Sequence, residues 1–458
     1  MKVAISILSS IFLVGNIQNT KVNPIPIENT FPINWVADIG NTTYRSDVAH
    51  LNGKLIIGSN GENYRDYYLD EGNGVYVINP LNGKIETQFL NEEYGDMDVN
   101  GVLEYNERLF IGNDNDEFIC TDITGKIIYR LPVSGDIEHS PILIKNGNQN
   151  TIVYATESGE VTSVNPETGK KIWTYFHKNF KGWKPGDNRF IFQVKTTYIN
   201  SGQLFFGKPG VADLNKDEVL DLVYYTNYNE TIAIDGKTGK KLWSHKKEEG
   251  SNVAIDYHDT PIIVGAGNDI RIIKLASIYS DDSAPNKLMF YNRNGNFVKE
   301  IPINRTIGYL GLNTLDLKKQ LIIPLSNGVA VYNKNTQKVD FITGLNKMYP
   351  STYGGGTSNF LAGEVLITDK VINFKGERSI IILHQNDYKT DGHAAISIIG
   401  LESKKRLKFL HLPSSSEFKP LIKDFNKDGK LDLLVNCRDG KLYCFDLKIS
   451  DDNLTINQ

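Results

Sequence analysis

One phrase recurs along this chain and constrains its fold more than any other feature: a short apolar strand, a polar turn that usually ends in Gly-Lys, and a second strand. Insertions of variable length separate the copies, over a base unit of roughly 40 residues. The clearest copies are GVYVINPLNGKIETQF from Gly74, EFICTDITGKIIYRL from Glu117, EVTSVNPETGKKIWTYF from Glu160 and ETIAIDGKTGKKLWSHK from Glu230. Weaker copies begin at Lys287, Gly328 and Ala394, and the last, KLYCFDLK from Lys441, stops before its second strand.

Each copy of the phrase follows two further strand-like runs, such as SPILI at 140–144 and TIVYA at 151–155 before the copy at Glu160. Four short strands in a unit that recurs about eight times are typical of a β-propeller, whose blades bury their faces against neighbouring blades. The 40 glycines and 23 tyrosines suit strands joined by tight turns. We therefore predict an all-β, eight-bladed β-propeller, with seven blades as the alternative because the copies at Lys287 and Ala394 are weak.

The last unit lacks its outer strand, and the N-terminal part of the chain can supply it. A closed propeller has to pair its last blade with another segment, because an open edge strand exposes unpaired backbone groups. The stretch INWVADI at 33–39 carries Trp35, which corresponds to Trp173 in KIWTYF and Trp243 in KLWSHK. We therefore expect this stretch to form the outer strand of the last blade and to close the ring.

The two ends of the chain differ in composition from the repeats. The first 20 residues contain one lysine and then an apolar run from Val3 to Val14, which is too short to span a bilayer and suits a secretory signal peptide. We predict a signal peptide at 1–20, the propeller at 31–449 and a C-terminal tail at 450–458, in a protein exported to the periplasm or the extracellular space. The net charge of −4 gives no basic field for nucleic acid, and no later run is long enough for a membrane span.

Three cysteines, Cys120, Cys437 and Cys444, are too few for a disulfide framework in a chain of 458 residues. Cys120 and Cys444 fall where other copies of the repeat carry Ala, Ser or Val, so we expect them to pack as small apolar side chains between blades. A two-residue turn in RDGK at 438–441 would place Cys444 opposite Val435 rather than Cys437. No disulfide is expected there.

The nine residues DFNKDGKLD at 424–432 concentrate oxygen ligands between two apolar runs. Acids or amides occupy positions 1, 3, 5 and 9, and Gly429 at position 6 permits a sharp turn. Ca²⁺ takes about 6–8 such hard oxygens, one of them from a backbone carbonyl at position 7. The predicted ligands are Asp424, Asn426, Asp428, Lys430 through its carbonyl, and Asp432.

A second stretch, DLNKDEVLD at 213–221, repeats this spacing with Glu218 in place of the glycine, which makes the turn harder. Both loops join two strands, and neither has the glutamate that ends the calcium loop of an EF-hand. We therefore expect calcium to have a structural role. The predicted ligands of the second loop are Asp213, Asn215, Asp217, Val219 through its carbonyl, and Asp221.

In a four-stranded blade a-b-c-d, the a–b and c–d turns open on one face of the ring and the b–c and d–a connections on the other. The predicted calcium loops and the short TGK turns belong to the first, here called the compact face. The long insertions belong to the second, the loop face, where exposed aromatic rings with charged neighbours suit a protein or glycan ligand. The ligand-binding candidates are Tyr64, Arg65, Tyr67, Tyr68, Trp183, Lys184, Arg189, Tyr353 and Tyr388.

With TGKKIW and TGKKLW in register, the chain resembles the PQQ-like, or quinoprotein-type, propeller repeat family. Its acidic loops resemble the calcium loops of FG-GAP propeller repeats. The first resemblance implies a propeller of eight blades that either binds pyrroloquinoline quinone and calcium or is a non-catalytic scaffold. Quinone is not expected, because the chain lacks the adjacent cysteine pair of the quinone enzymes.

The sequence favours a non-catalytic binding or scaffold protein with structural calcium. The nucleophile and metal motifs G-x-S-x-G, H-E-x-x-H and C-x-x-C are absent from it. The alternative is a calcium-dependent carbohydrate-active enzyme of the polysaccharide lyase type. Such an enzyme would need a His, Lys or Tyr base beside calcium in a groove.

Overall fold

Eight antiparallel sheets follow one another along the chain and form the blades of a ring, as the repeated phrase predicts. This arrangement confirms the eight-bladed β-propeller, and the seven-bladed alternative is wrong. The computed structural model describes residues 31–61, 72–91, 97–147, 149–180, 204–228, 230–246, 253–255, 260–278, 286–303, 314–325, 328–343, 365–385 and 394–455.

The first four blades each have four strands, numbered in chain order after the N-terminal strand β1 (Ile33–Asp38). Blade 1 has β2 (Ala49–Leu51), β3 (Lys54–Asn60), β4 (Asn73–Ile78) and β5 (Ile85–Phe89). Blade 2 has β6 (Gly101–Tyr105), β7 (Arg108–Asn113), β8 (Glu117–Thr121) and β9 (Ile127–Pro132). Blade 3 has β10 (Ile142–Ile144), β11 (Thr151–Ala155), β12 (Glu160–Val164) and β13 (Lys171–Phe176). Blade 4 has β14 (Gly210–Ala212), β15 (Asp221–Tyr225), β16 (Glu230–Ile234) and β17 (Lys241–Lys246).

The last four blades depart more from the pattern, because blades 5 and 7 split their inner strand in two. Blade 5 has β18 (Val253–Ile255), β19 (Ile262–Val264), β20 (Arg271–Ile278), β21 (Asn286–Asn292) and β22 (Phe297–Ile303). Blade 6 has β23 (Leu315–Asp316), β24 (Gln320–Leu325), β25 (Gly328–Asn333) and β26 (Val339–Thr343). Blade 7 has β27 (Val365–Ile367), β28 (Val371–Phe374), β29 (Glu377–Gln385), β30 (Ala394–Gly400) and β31 (Arg406–His411). Blade 8 has β32 (Leu421–Lys423), β33 (Lys430–Asn436) and β34 (Lys441–Ser450), and a last strand, β35, spans Leu454–Thr455.

The N-terminal strand closes the ring as predicted. Strand β1 pairs with β34 in the register Trp35 to Cys444 and Ala37 to Leu442, so it is the outer strand of blade 8. The C-terminal residues add a second fastening, because Leu454 pairs with Ile372 in β28. Part of the segment expected as a tail at 450–458 therefore extends the sheet of blade 7.

Outer-strand tryptophans explain why the turn of the next blade ends in glycine. Trp35 packs on Gly83 and donates a hydrogen bond from Nε1 to the carbonyl of Pro80 (2.8 Å). Trp243 packs in the same way on Gly295, where an added Cβ would lie 2.6 Å from the indole. Both glycines also have positive φ, +71° and +77°, so a side chain there would be strained as well as blocked.

The core lies mainly between neighbouring blades, because successive side chains of a strand point to opposite faces of its sheet and both faces are covered. Val153 and Val161 of blade 3, for example, share a buried cluster with Leu222 and Ile232 of blade 4. All four side chains have no solvent exposure. Within the described parts of the chain, no helix is both long enough and apolar enough to cross a membrane.

All three cysteines are free and buried, as packing residues would be. The predicted register of the last hairpin is wrong by one residue, however, since Cys444 pairs with Leu434 and Tyr443 pairs with Val435. The turn has three residues rather than two, because the amide of Cys437 bonds to the carbonyl of Lys441 (2.9 Å). A glycine with φ +78° ends this turn, as is usual for a three-residue hairpin loop.

Candidate functional site

The predicted calcium loop 424–432 joins β32 to β33 on the compact face of blade 8. Its own side chains hold its backbone in place. Asp424 accepts hydrogen bonds from the amides of Asp428 (3.2 Å) and Gly429 (3.0 Å), and Asn426 Oδ1 accepts one from the amide of Asp428 (3.0 Å). The oxygens at positions 1 and 3 are thus directed toward the loop's own turn.

The second loop, 213–221, joins β14 to β15 in blade 4 and repeats these bonds. Asp213 accepts hydrogen bonds from the amides at positions 5 and 6 (3.2 Å each), and Asn215 Oδ1 accepts one from the amide at position 5 (3.0 Å). Glu218 has φ +69°, close to the +81° of Gly429 at the same position of the first loop. The glutamate therefore adopts the left-handed backbone that favours glycine, and the turn keeps its hydrogen bonds.

The backbone amide of the residue at position 7 also makes the same hydrogen bond in both loops. The amide of Lys430 donates to Asp428 Oδ1 (2.9 Å), and the amide of Val219 donates to Asp217 Oδ1 (3.0 Å). Lys430 opens β33, and the side chain of Val219 is buried. That the carbonyls of these two residues bind calcium stays a prediction.

The acid at position 9 is fully buried in each loop and anchors it. Asp432 accepts hydrogen bonds from the amides of Phe425 (2.9 Å) and Asn426 (3.3 Å), and Asp221 accepts one from the amide of Leu214 (2.7 Å). Burial raises the pKa of both carboxyls to about 6, although these amide bonds oppose the change. A cation nearby would favour the ionised form of both groups.

The donor set of each loop fits Ca²⁺ in kind. Every side chain at positions 1, 3, 5 and 9 ends in a carboxylate or amide oxygen, and each oxygen has two lone pairs. In neither loop do the carboxylate oxygens of all three acids lie within 4.8 Å of one another. Among the residues described, one group of three acids outside these loops has that close spacing. An ion would therefore have to draw the carboxylates of a loop closer together.

The first loop also contacts both ends of the chain. Asn34 in β1 donates a hydrogen bond from Nδ2 to Asp432 Oδ1 (2.7 Å), and the amide of Asp451 donates to the carbonyl of Gly429 (3.1 Å). Asn34 belongs to the strand that closes the ring, and Asp451 precedes β35. The loop therefore lies where the two fastenings of the ring meet.

The group of acids with closely spaced oxygens is Asp136, Glu138 and Glu157, on the loop face between blades 2 and 3. Glu138 forms an ion pair with Arg45 and accepts a hydrogen bond from Asn100 Nδ2 (2.9 Å). No sequence motif indicated this group, because its acids come from two separate connections without a ligand spacing. Only the packing of blade 2 against blade 3 brings them together.

Residues 39–48, which connect β1 to blade 1, contact residues that precede blade 4. The guanidinium of Arg45 lies 4.5 Å from the ring centroid of Phe206, and Asp47 forms an ion pair with Lys208. Burial raises the pKa of Asp47, but the charges of Lys208 and Lys419 and the hydrogen bonds from Lys208 and Ser140 together outweigh burial, and the pKa falls below its usual value. Contacts between segments so far apart in the ring place this charged connection near the propeller axis.

A second buried polar group extends from the connection after blade 3 through blade 4 to blade 5. Glu230 Oε2 lies 3.1 Å from His177 Nε2, and this hydrogen bond lowers the pKa of Glu230 to about 2 although burial opposes it. Lys274 is 2% exposed, and its Nζ lies 4.4 Å from the ring centroid of Tyr291. Burial lowers the pKa of Lys274 to about 7, and the charge of Glu230 opposes that change.

All nine ligand-binding candidates of the loop face lie outside the described residues, and so does the predicted signal peptide at 1–20. Their role stays a prediction. The candidates concerned are Tyr64, Arg65, Tyr67, Tyr68, Trp183, Lys184, Arg189, Tyr353 and Tyr388.

Comparison with known families supports the repeat assignment. The family model described as outer membrane protein assembly factor BamB, a PQQ-repeat family, matches residues 71–182 and 148–370, which together span more than half of the chain. A search of the curated proteins finds no sequence that matches this chain.

Solved structures share the fold at low sequence identity. BamB from Moraxella catarrhalis is 14% identical with a TM-score of 0.52, and the match covers 88% of this chain and 97% of that one. A europium-containing methanol dehydrogenase is 12% identical with a TM-score of 0.55, over 91% and 93% of the two chains. Sqt1 of Saccharomyces cerevisiae is 10% identical with a TM-score of 0.52, over 92% and 97%. Identities this low show the propeller fold alone.

Proposed function

We propose, since the chain belongs to the PQQ-repeat family of the outer membrane protein assembly factor BamB, that it is an exported, non-catalytic propeller that binds a protein. An assembly factor of an outer membrane acts outside the cytoplasm, which agrees with the predicted signal peptide at 1–20. Neither the family nor the solved structures favours the polysaccharide lyase alternative. The absence of pyrroloquinoline quinone stays an expectation from the missing cysteine pair.

The observation that carries this proposal is the contrast between the two faces of the ring. On the compact face, short turns satisfy their own polar groups, as where Asn165 Oδ1 accepts hydrogen bonds from the amides of Glu167 (2.9 Å) and Thr168 (3.0 Å). On the loop face, connections as long as 177–209 and 344–364 join the strands. Long connections on a rigid scaffold are where binding residues concentrate.

Calcium enters this proposal as a structural ion in loops 424–432 and 213–221. The matching hydrogen bonds of the two loops and their oxygen-only donor sets support it. Asp424, Asn426, Asp428 and Asp432 would hold the ion in the first loop. Bound there, it would supply positive charge beside a buried carboxylate, and the millimolar calcium found outside cells would suffice for a site of modest affinity.

A pull-down and a glycan array with the purified full-length chain test the binding role. The triple variant Tyr64→Ala, Tyr67→Ala, Trp183→Ala should weaken capture of a protein ligand at least tenfold, since flat rings supply contact area at little entropy cost. Leu81→Ala is the matched control, because Leu81 is an exposed apolar residue (53%) in a turn of the compact face. Equal capture by the triple variant and the wild type would contradict the choice of face, and glycan capture alone would replace the protein ligand by a sugar.

A further inference from the structure

A groove between blades 5 and 6 opens on the compact face and has a volume of about 310 Å³. Two buried rings, Phe290 and Tyr332, form its base, with ring centroids 5.5 Å apart. Its rim carries four cationic side chains, two from each blade. These cations are Arg271 and Lys299 of blade 5, and Lys318 and Lys334 of blade 6.

The charges of this groove are poorly balanced. Among the described residues, one acid forms an ion pair with these four cations: Asp316 pairs with Lys334. Arg271 donates from Nη1 to the carbonyl of Ile270 (2.8 Å), and Lys299 donates to the amide oxygen of Gln337, so both have neutral partners. Four cations against one acid leave a local excess of positive charge in a chain whose net charge is −4.

The cations of blade 5 also repel each other. The Nζ of Lys299 lies 4.8 Å from the ring centroid of Phe290, where the stem of the side chain is partly buried. Burial and the charge of Arg271 both lower the pKa of Lys299. An anion placed between Arg271 and the lysines would remove this repulsion and gain charge-assisted hydrogen bonds.

We propose that the groove between blades 5 and 6 binds a small dianion, a phosphate or sulfate group. A guanidinium offers five N–H donors in a planar fork, and lysines add movable ammonium groups, a combination suited to tetrahedral oxyanions. The volume lies at the lower end of the range for small-molecule sites, about 300–1,000 Å³. This site lies on the face opposite the long loops, so it does not depend on the proposed ligand face.

Binding of inorganic phosphate and sulfate to the full chain tests the proposal, with sodium chloride at equal ionic strength as the reference. Free calcium is held constant, because phosphate binds calcium. Calorimetry and thermal unfolding should show one saturable site for phosphate or sulfate and none for chloride. The double variant Lys299→Gln, Lys334→Gln should raise the Kd for phosphate at least tenfold, and Lys318→Gln, on an exposed turn, should raise it severalfold without affecting folding.

Lys287→Gln and Lys404→Gln are the matched controls, because these lysines form surface ion pairs outside the groove, with Glu300 and Asp340. Both should bind phosphate like the wild type. Glycerol 3-phosphate and vesicles of an anionic phospholipid separate a free phosphate ester from a lipid headgroup, since either would need the same lysines. Unchanged phosphate binding by the double variant and by Lys318→Gln, or an equal effect of chloride, would overturn the proposal.

Discussion

Removal of the Trp35 side chain tests how the ring is closed. Trp35 is 6% exposed, packs on Gly83 of blade 1 and donates a hydrogen bond to the carbonyl of Pro80 (2.8 Å). Truncation of a buried aromatic side chain costs about 3–5 kcal/mol, and loss of one hydrogen bond costs about 1 kcal/mol more. Strand β1 has no covalent link to blade 8, so this loss should fall on the pairing of β1 with β34.

Trp173→Ala is the matched control, because Trp173 packs on Gly239 and donates to the carbonyl of Gly236 (3.2 Å), but its strand β13 follows β12 directly along the chain. Amide hydrogen exchange read by mass spectrometry distinguishes the two variants. Trp35→Ala should speed exchange in β1 and β34 by a factor on the order of 100 or more, and Trp173→Ala should leave β34 unchanged. The reasoning is refuted if β34 keeps its protection in Trp35→Ala, or if both variants expose it equally.

Two further predictions concern the calcium loops and the buried lysine. Asp424→Asn should abolish the rise in melting temperature that calcium produces through the first loop. Asp340→Asn, at an exposed acid (side chain 69% exposed), should keep that rise. A chelator that leaves the melting temperature of the wild type unchanged would refute structural calcium. Lys274 has its pKa lowered from 10.5 to about 7, so the unfolded chain binds more protons between these values and stability should rise with pH across that interval. Lys274→Met should remove this slope and stabilise the fold by roughly 2–5 kcal/mol below pH 7, measured by urea unfolding at pH 6 and pH 9; a slope that survives the substitution would contradict the assignment.

The repeated phrase made the architecture predictable because each copy specifies one hairpin, and hairpins of this kind can bury both faces only against another blade. The shortened unit at Lys441 and the tryptophan at Trp35 were enough to predict which strand closes the ring. Local register was less predictable. The RDGK turn could contain two or three residues, and the pairing of Cys444 with Leu434 depends on the three-residue turn that Gly440 ends.

The two predicted calcium loops illustrate the same limit. Nine-residue spacing located both turns, but it could not show that Glu218 adopts the backbone of a glycine or that Asp432 bonds to Asn34 from the other end of the chain. The groove cations were also beyond prediction, since Arg271 and Lys334 come from different blades and share no motif.

The sequence alone determined what repeats: four strands per unit, the glycine that ends most of the short turns, the oxygen-rich loops and the strand that pairs the two ends of the chain. These features depend on residues close in the chain, where spacing fixes geometry. Tertiary structure decided which side chains meet across blades, as with Glu138 and Arg45 or the cations of blades 5 and 6. Such contacts depend on the angle and distance between neighbouring sheets, which the packing of their apolar faces sets and no local spacing records.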